Sequence, residues 1–493
     1  PSLPKGGGAI RSIGDGLGVV GTGGAASFGL ALPISPGRGF APSLSLGYSS
    51  STGNSPFGLG WSKTVKAITR RTAKGVPAYT DGDLFVGPQG QTWMPERDSH
   101  TGALVSRSVS HYNGLPVGDH RVVRYWPRIE DTFTLVEHWA DDTDPAGFWL
   151  LHDADGSLHL YGKSHASRRA DPDDRQHVGV WLLDESLNTR GEHIVYTYLS
   201  DDQGPDEHQP RDYRAQRYLS QVHYGNLDAC DQLYAWRAEG WQGVQWLFHL
   251  VFDYGERPYT LTSIPGYEAS QPWPERTDPY SSFEYGFELT TRRLCRQVLM
   301  FHDFPELGPE PVLVQRLLLE YRETALGYNH LCAAHSQAFG PDGKAQGRPP
   351  MEFDYNPFDL QWGAERFEAF EPMPGVNDGQ RYQLVDLYGE GLPGILYRDD
   401  KAWYYREPLR ATPASHADEV AYGPWCELQQ FPNTNSSKPV WQFLSDITGD
   451  GSLDWVMAQP GLAGFFTCKP ERSWSNFTPL EAFPQEFFHP HGQ

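Results

Sequence analysis

The chain has 493 residues and an acidic balance, with 62 Asp and Glu against 40 Lys and Arg and a formal net charge of −22. This length accommodates roughly two to four domains, and the diffuse negative charge argues against nucleic acid or an anionic membrane as the main partner. A mean hydropathy of −0.55, without any run of about 18 apolar residues, excludes a transmembrane helix and direct membrane insertion.

The composition favours an all-β protein. It includes 52 Gly and 40 Pro, and 13% of the residues are aromatic, which is typical of strands joined by tight turns. The five cysteines are far apart and form no C-x-x-C pair, so we predict free structural thiols rather than a disulfide framework or a zinc site. They are Cys230, Cys295, Cys332, Cys426 and Cys468.

In chain order, residues 1–26 are glycine-dense and are predicted to be extended or loop-like. Residues 27–48 alternate in hydrophobicity on both sides of a Pro-Gly turn, which predicts a β-hairpin. An Asp-Gly turn separates the apolar stretches 148–152 and 158–161, which predicts a second hairpin. Further strands are predicted over 65–70, 178–183, 193–199, 218–224, 246–254, 283–289, 295–301 and 314–321.

Three segments of the middle region depart from this strand pattern. Residues 325–338 are the best candidate for a short helix or a loop excursion. Residues 201–210 are charged and interrupted by proline, and residues 339–350 are rich in Gly and Pro, so both are predicted to be surface loops. The second loop precedes a predicted domain boundary, which gives domains 1–355 and 356–493.

The second predicted domain contains an internal repeat. The segments FLSDITGDGSLDWV at 443–456 and QLVDLYGEGLPGIL at 383–396 share Asp-x-x-Gly-[Asp/Glu]-Gly between apolar residues. Repeats about sixty residues apart are typical of propellers or arrays. The two copies predict the first blades of a β-propeller. Because two blades cannot bury a propeller core, we expect the propeller to belong to a larger protein.

The later copy has the spacing of a calcium loop. Oxygen-bearing side chains alternate from Asp446 through Asp450 to Asp454, with a glycine at the sixth position, and this spacing lets a tight loop surround Ca²⁺. The alternative is an Asp-Gly turn whose carboxylates cap backbone amides. The earlier copy keeps only Asp386 and Glu390 of these groups, which favours the turn. Ca²⁺ at the three aspartates is the only cofactor that the sequence predicts.

Other motif matches lack the context that their chemistry needs. The G-x-G-x-x-G string at 16–21 is not framed by a strand and a helix, and the GKS string at 162–164 lacks its upstream glycine. No metalloprotease, serine hydrolase or ADP-ribosyltransferase motif occurs, so we expect no catalytic residue and no enzymatic activity. A Ser/His/Asp trio without a signature stays open, because geometry defines it. The histidines in strand patterns are interpreted as face residues; they include His159, His193, His223 and His249.

Several motifs in order resemble the SpvB/TcaC N-terminal domain family, and together they extend over roughly residues 1–355. They are LPKGGGAIRSIG at 3–14, LPISPGR at 32–38, LSLGY at 44–48, PFGLGW at 56–61, WLLHDADGSLHLYG at 149–162 and YLSQVHYGN at 218–226. The repeats at 383–396 and 443–456 look like the FG-GAP-type blades of the B component of bacterial insecticidal Tc toxin complexes. Residues 483–493 look like the lead-in to a further blade.

The resemblance implies a fold and a set of partners. It implies a large antiparallel β-shell of RHS type followed by a propeller, in which the B component and a C component together enclose an unfolded toxic polypeptide. It further implies that the propeller closes the shell and docks it on the pentameric pore of the A component. We therefore expect a secreted structural toxin component, without a classical signal peptide in this sequence.

Two other functions remain alternatives. The same N-terminal domain occurs in SpvB-type toxins, where it would act as a carrier or secretion domain for a C-terminal ADP-ribosyltransferase. A Ca²⁺-dependent adhesin or glycan-binding propeller would use the loop at 446–454 and the abundant aromatic residues.

Overall fold

The computed structural model describes residues 25–63, 66–129, 132–202, 204, 211–340, 343–356, 381–398, 402–409, 421–429, 441–459, 462–469 and 473–482. The chain divides into two compact units, Pro1–Pro357 and Phe358–Gln493. The all-β prediction is confirmed, because the described residues form strands with three short 3₁₀ helices, His165–Ser167, Tyr234–Trp236 and Pro305–Leu307. No helix in this part of the chain is long and apolar enough to span a membrane.

The first unit contains strands β1 to β23, whose bounds are as follows. They are β1 (Ser27–Ala31), β2 (Ser45–Ser49), β3 (Trp61–Lys63), β4 (Ala67–Arg70), β5 (Phe85–Val86), β6 (Thr92–Pro95), β7 (Ser106–Tyr112), β8 (Leu115–Pro127), β9 (Leu135–Ala140), β10 (Phe148–His152), β11 (Leu158–Tyr161), β12 (Arg168–Ala170), β13 (Val178–Leu187), β14 (His193–Leu199), β15 (Tyr218–Asn226), β16 (Trp246–Asp253), β17 (Tyr280–Ser282), β18 (Leu289–Thr291), β19 (Gln297–His302), β20 (Val312–Glu323), β21 (Asn329–Phe339), β22 (Ala345–Gly347) and β23 (Met351–Glu352).

A closed barrel forms the first part of this unit. Its antiparallel neighbours follow the order β4, β5, β6, β8, β9, β10, β11 and β13, and β13 pairs back onto β4. The closing pair aligns Val180 with Thr69 and Trp181 with Ile68. Closure removes the unpaired backbone groups that sheet edges would otherwise present.

Strand β13 is shared between the barrel and the sheet that continues beyond it. Its first half pairs with β4 and β12, and its second half pairs with β11 and β14. From β14 the antiparallel sheet continues through β15, β16, β19, β20 and β21, and β21 also pairs with β22 and β23. The continuous apolar run at 178–183 fits this role, because a strand covered on both faces carries apolar residues throughout.

Aromatic side chains fill the main core. Trp149 lies edge-on to Phe85 at 4.8 Å and to Tyr125 at 4.9 Å between ring centroids, and all three are buried. The neighbouring residue Leu150 points to the opposite face of β10 and joins a different cluster with Trp139. Successive strand residues point to opposite faces, so the run at 148–152 is apolar because both of its faces are covered.

Two sequence predictions in this unit are wrong. Residues 329–338 of the segment 325–338 lie in strand β21, since pairing with β20 along nine residue positions outweighs the weak local signal. Of the predicted strand 283–289, residues 283–288 form the turn between β17 and β18, and only Leu289 belongs to a strand. Most of the predicted surface loop at 201–210 lies outside the described residues, so it stays a prediction, although Asp201 at its start is buried in an ion pair with Arg293.

The second unit contains strands β24 to β33. They are β24 (Tyr382–Val385), β25 (Gly394–Arg398), β26 (Trp403–Arg406), β27 (Pro408–Leu409), β28 (Ala421–Tyr422), β29 (Cys426–Glu427), β30 (Trp441–Ser445), β31 (Asp454–Gln459), β32 (Leu462–Phe466) and β33 (Thr478–Pro479). Two four-stranded antiparallel sheets follow the orders β24-β25-β26-β29 and β30-β31-β32-β33. Each repeat copy supplies the first turn of one sheet. Four-stranded sheets of this kind build propeller blades; the FG-GAP type stays a prediction.

A small tryptophan core joins these two sheets. Trp403 of the first sheet and Trp455 of the second lie 4.7 Å apart between ring centroids, and Trp474 packs 6.1 Å from Trp455. The Leu453 amide donates a hydrogen bond to the Leu387 carbonyl at 3.2 Å. The two repeat copies therefore share one core within the second unit.

Candidate functional site

The predicted calcium loop is a turn in which Asp446 caps backbone amides. Its Oδ1 accepts hydrogen bonds from the amides of Gly449 at 2.7 Å and Asp450 at 3.1 Å, and its Oδ2 accepts one from Gly451 at 3.0 Å. Gly449 and Gly451 have φ angles of 75° and 87°, a region that favours glycine. These hydrogen bonds are the ones expected for an Asp-Gly turn whose carboxylate caps backbone amides, which was the alternative to a calcium loop.

Asp454 closes the same loop from the start of β31. It is fully buried, and its Oδ2 accepts hydrogen bonds from the amides of Ile447 at 2.9 Å and Thr448 at 3.0 Å and from the Thr448 hydroxyl at 3.0 Å. Asp450 accepts from the Ser452 amide at 2.8 Å. The described residues contain no group of three or more His, Cys, Asp or Glu side chains arranged to hold a metal. Ca²⁺ at the three aspartates stays a prediction.

The earlier repeat copy makes the same turn with fewer carboxylates. Asp386 accepts hydrogen bonds from the amides of Glu390 at 2.8 Å and Gly391 at 2.6 Å, and Gly389 and Gly391 have φ angles of 72° and 82°. Gly394 stands where the later copy has Asp454. The backbone turn therefore needs only its first aspartate.

A cavity of about 250 Å³ in the first unit brings together a Ser, a His and an Asp. His159 and Ser186 lie opposite each other on β11 and β13, and the His159 Nδ1 is 2.8 Å from the Ser186 Oγ. The His159 Nε2 is 3.1 Å from the Asp153 Oδ2, and this hydrogen bond lowers the pKa of Asp153. The order Ser–His–Asp is that of the trio that the sequence left open, but the two ring nitrogens are exchanged relative to a catalytic triad, and no sequence signal identified Ser186.

The surroundings of Ser186 favour a structural role for this trio. Ser186 is 3% exposed, and its backbone lies between β11 and β14 in the sheet. Backbone amides engaged in strand pairing do not form the free donor pair that an acyl-transfer site needs for its oxyanion. The Asp153–His159–Ser186 chain is therefore best described as a cross-strand clamp that joins the turn after β10 to β13.

Two lysines line the same cavity. Lys63 has no ion-pair partner among the described residues, and its Nζ lies 5.4 Å from the centroid of the Phe252 ring. Burial, with a smaller contribution from Arg169, lowers the pKa of Lys63 to about 7. Lys66 contributes to the lowered pKa of Asp153. The cavity therefore holds an amine that loses much of its charge near neutral pH.

The GKS segment at 162–164 has no free phosphate cradle. The amides of Lys163 and Ser164 donate to the Asp184 carboxylate at 2.6 and 3.4 Å, and the Ser164 hydroxyl donates to it at 2.7 Å. Burial raises the pKa of Asp184 to about 6. These donors are already used, as the missing upstream glycine indicated. The G-x-G-x-x-G string at 16–21 lies outside the described residues.

The other strand histidines make hydrogen bonds within the core. His193 is fully buried, with Nδ1 2.6 Å from the Glu185 carboxylate and Nε2 2.8 Å from the Cys230 carbonyl oxygen. The Nδ1 atoms of His223 and His249 lie 3.0 Å apart, and burial lowers the pKa of His223 to about 3. Such contacts fix strand packing and leave these rings with little access to a ligand.

Comparison with known proteins gives consistent matches. The family described as "SpvB: Salmonella virulence plasmid 65kDa B protein" matches residues 20–304. Proteins named mono(ADP-ribosyl)transferase SpvB from Salmonella typhimurium and Salmonella dublin are 45% identical over 350 residues, which are 70% of this chain and 57% of those relatives. The chain thus spans little more than half the length of these relatives.

Solved structures match both units. A chain of the Photorhabdus luminescens Tc holotoxin pore matches 99% of this chain at 40% identity and a TM-score of 0.74, over 22% of its own length. The TcdB2–TccC3 crystal structure matches 99% at 40% identity and a TM-score of 0.69, over 23% of its own length. The N-terminal domain of SpvB from Salmonella typhimurium matches 63% at 45% identity and a TM-score of 0.59, over 98% of its own length.

One expectation about activity is corrected by these matches. We expected no enzyme, because the sequence carries no catalytic motif, but the curated relatives bear the name of a transferase. A missing motif in one stretch of sequence says nothing about the rest of a longer relative, and the match covers 57% of that relative. The expectation is therefore wrong for the family, while the resemblance to toxin proteins is confirmed.

Proposed function

The chain belongs to the SpvB family, and we propose that it forms part of the wall of a toxin complex of the Tc type. The extent of the structural match carries this proposal. The Tc structures match 99% of the chain and so include the second unit, whereas the SpvB N-terminal domain matches 63%. A role that uses both units is best explained by the Tc relatives.

The architecture is suited to a wall. The barrel closes on itself through β13 and β4, and the same β13 begins the long antiparallel sheet from β14 to β21. A continuous sheet satisfies its backbone hydrogen bonds along its whole width, so it can separate two compartments without gaps between strands. We propose that a Tc C component and its toxic polypeptide are the partners on one side.

The second unit would then dock the shell. Its two four-stranded sheets with a shared tryptophan core are supported as propeller blades by the repeat at 383–396 and 443–456. We propose that the completed propeller contacts the pentameric A-component pore and that the assembled toxin acts outside the producing cell.

A second candidate function rests on the first unit. The 45% identity to proteins named mono(ADP-ribosyl)transferase SpvB extends over 350 residues, and the family match at 20–304 lies within the first unit. In this alternative, the unit carries a transferase domain for secretion. The loop at 446–454 supports the adhesin alternative less well, because its carboxylates cap backbone amides.

Reconstitution tests the proposal. The native polypeptide is mixed with a Tc C component and a Tc A pentamer, and the products are examined by size-exclusion chromatography and electron microscopy. We expect a closed shell seated on the pore. A monomer that binds neither component, together with transferase activity in the same polypeptide, would favour the carrier function instead.

Matched tryptophan variants make this experiment specific to the shell. Trp181 is fully buried in β13, while Trp126 is 47% exposed at the end of β8. Trp181→Ala should abolish shell formation, because it opens the core beneath the closing strand pair. Trp126→Ala should assemble normally, and equal loss in both variants would argue against a shell wall built on the barrel.

A further inference from the structure

A second cavity of the first unit is rich in arginine. Its volume is about 220 Å³, and its charged lining consists of His165, Arg168, Asp171, Arg175, Arg214 and Arg217. The chain as a whole carries a formal charge of −22. Four guanidinium groups around one small cavity are therefore a local concentration of positive charge in an acidic protein. A concave site lined by one sign of charge concentrates ions of the other sign.

Two of these arginines are neutralised by carboxylates. Arg168 makes a bidentate pair with Asp144, with nitrogen–oxygen distances of 2.8 and 2.6 Å. Arg214 pairs with Asp212 at 2.6 Å. Their charges are balanced by carboxylates of the fold, so these two arginines are not the ones expected to bind an anion.

The other two arginines have no carboxylate partner. Across the described part of the chain, no ion pair within 4.0 Å involves Arg175 or Arg217. Arg217 donates through Nη1 to the carbonyl oxygens of Arg214 at 2.6 Å and Gln216 at 3.0 Å, while its Nε is buried without a hydrogen-bond partner. A guanidinium that is partly removed from water without a counter-charge is costly, so the Arg217 side chain that lines the cavity favours an anion there.

Neighbouring cations further destabilise the charged form of Arg217. Burial, followed by repulsion from Arg169 and Arg175, lowers the pKa of Arg217 to about 10. The Nε of Arg169 is also buried without a hydrogen-bond partner. Asp171, the one acid in the lining, lies 4.0 Å from His177 rather than beside Arg217. A bound anion would relieve the repulsion among the three arginines.

We propose that this cavity binds a phosphate-class oxyanion between Arg175 and Arg217. Guanidinium groups bind phosphate through paired N–H donors, and Ser200 adds a hydroxyl to the lining. The volume of 220 Å³ lies below the roughly 300–1,000 Å³ of pockets for larger ligands, which fits a small anion. The ligand is either inorganic phosphate or the phosphate group of a monoester on a larger molecule.

Calorimetric titration of the whole chain tests this site. Inorganic phosphate and phosphoserine are the two probes, and the variants are Arg217→Gln and Arg175→Gln. We expect the wild-type chain to bind at least one probe and each variant to bind at least about tenfold more weakly, because each loses a charge-assisted hydrogen bond. Tighter binding of phosphoserine would identify a monoester as the ligand, and tighter binding of phosphate would identify the free ion.

Controls separate the site from net charge and from folding. Arg322→Gln removes the same charge from a side chain that is 61% exposed and pairs with Asp354 at 3.7 Å, and it should bind as the wild type does. Because Arg217 also holds two backbone carbonyls, the exposed Arg175 provides the variant that leaves the fold intact. Failure of the wild-type chain to bind either probe, or equal weakening by Arg322→Gln, would overturn the proposal.

A nuclear magnetic resonance titration gives a second readout. Burial and Arg168 lower the pKa of His165, which lines the cavity. A bound dianion nearby would stabilise the imidazolium and raise that pKa. An unchanged His165 pKa at saturating phosphate would contradict binding in this cavity.

Discussion

The two units use the same local parts but complete their sheets differently. Both contain antiparallel strands, Asp-Gly turns and buried tryptophans, yet the sheet of the first unit closes between β13 and β4. In the described part of the second unit, the two four-stranded sheets end at β24, β29, β30 and β33 and are joined through Trp403 and Trp455. Closure lets the barrel of the first unit satisfy its own edges, whereas the two described four-stranded sheets of the second unit are held by contact between sheets.

Matched tryptophan deletions test this difference most strongly. Trp149→Ala and Trp455→Ala each remove a fully buried indole, and each should cost about 3–5 kcal/mol of unfolding free energy. We expect Trp149→Ala to destabilise the barrel and Trp455→Ala to release both sheets of the second unit, because each sheet packs on that ring. Pulse proteolysis in urea, with mass spectrometry of the fragments, reports on each unit separately.

The proposed difference between the two units would be contradicted if the two deletions destabilised the same proteolytic fragments. Trp126→Ala, at a side chain that is 47% exposed, serves as the control and should leave both urea midpoints unchanged. We also predict that 356–493 is less resistant to proteolysis by itself than 1–355. Equal resistance of the two fragments would show that the closed sheet gives no advantage.

The buried aspartate of the second unit gives the next largest effect. Asp454→Ala removes a fully buried carboxylate that accepts hydrogen bonds from the Ile447 and Thr448 amides, and it should cost about 1–3 kcal/mol because hydrogen bonds to a charged group are lost. Asp450→Ala removes a single exposed hydrogen bond to Ser452 and is the matched control. Thermal unfolding measures both, and similar losses would mean that burial of Asp454 contributes little.

The paired turns separate capping from calcium binding. Asp446→Ala and Asp386→Ala each remove a carboxylate that caps backbone amides, so each should cost about 0.5–2 kcal/mol by analogy with helix N-caps. Capping alone predicts equal losses with and without millimolar Ca²⁺. A rise in melting temperature with Ca²⁺ that Asp446→Ala abolishes and Asp386→Ala retains would instead establish the calcium site.

The smallest effect concerns the cavity lysine of the first unit. The pKa of Lys63 is lowered to about 7 in the folded chain, so the unfolded chain binds more protons between pH 7 and the ordinary lysine pKa, and stability rises with pH in that window. Lys63→Met should raise the melting temperature below pH 7 by about 2–4 °C for each kcal/mol of burial cost that it relieves, with a smaller gain at pH 9. Lys66→Met is the control, and a gain that is independent of pH would contradict a buried charge at Lys63.

Local patterns in the sequence predicted much of the architecture. Alternating hydrophobicity and Asp-Gly turns correctly indicated the hairpin of β10 and β11, and the sixty-residue repeat marked the two matching turns at Asp386 and Asp446. They failed at 325–338 and 283–289, where pairing partners rather than local preference decide the conformation. The Asp153–His159–Ser186 chain was harder to predict, because Ser186 and His159 meet only through strand register.

The sequence by itself determined the all-β class, the repeated Asp-Gly turns and the resemblance to the SpvB family, because these depend on residue type and short spacing. Only the tertiary structure decided that β13 closes a barrel with β4 across more than a hundred residues of sequence and that Arg175 and Arg217 share a cavity. Such contacts depend on long-range register, and a one-residue shift would turn each side chain to the opposite face.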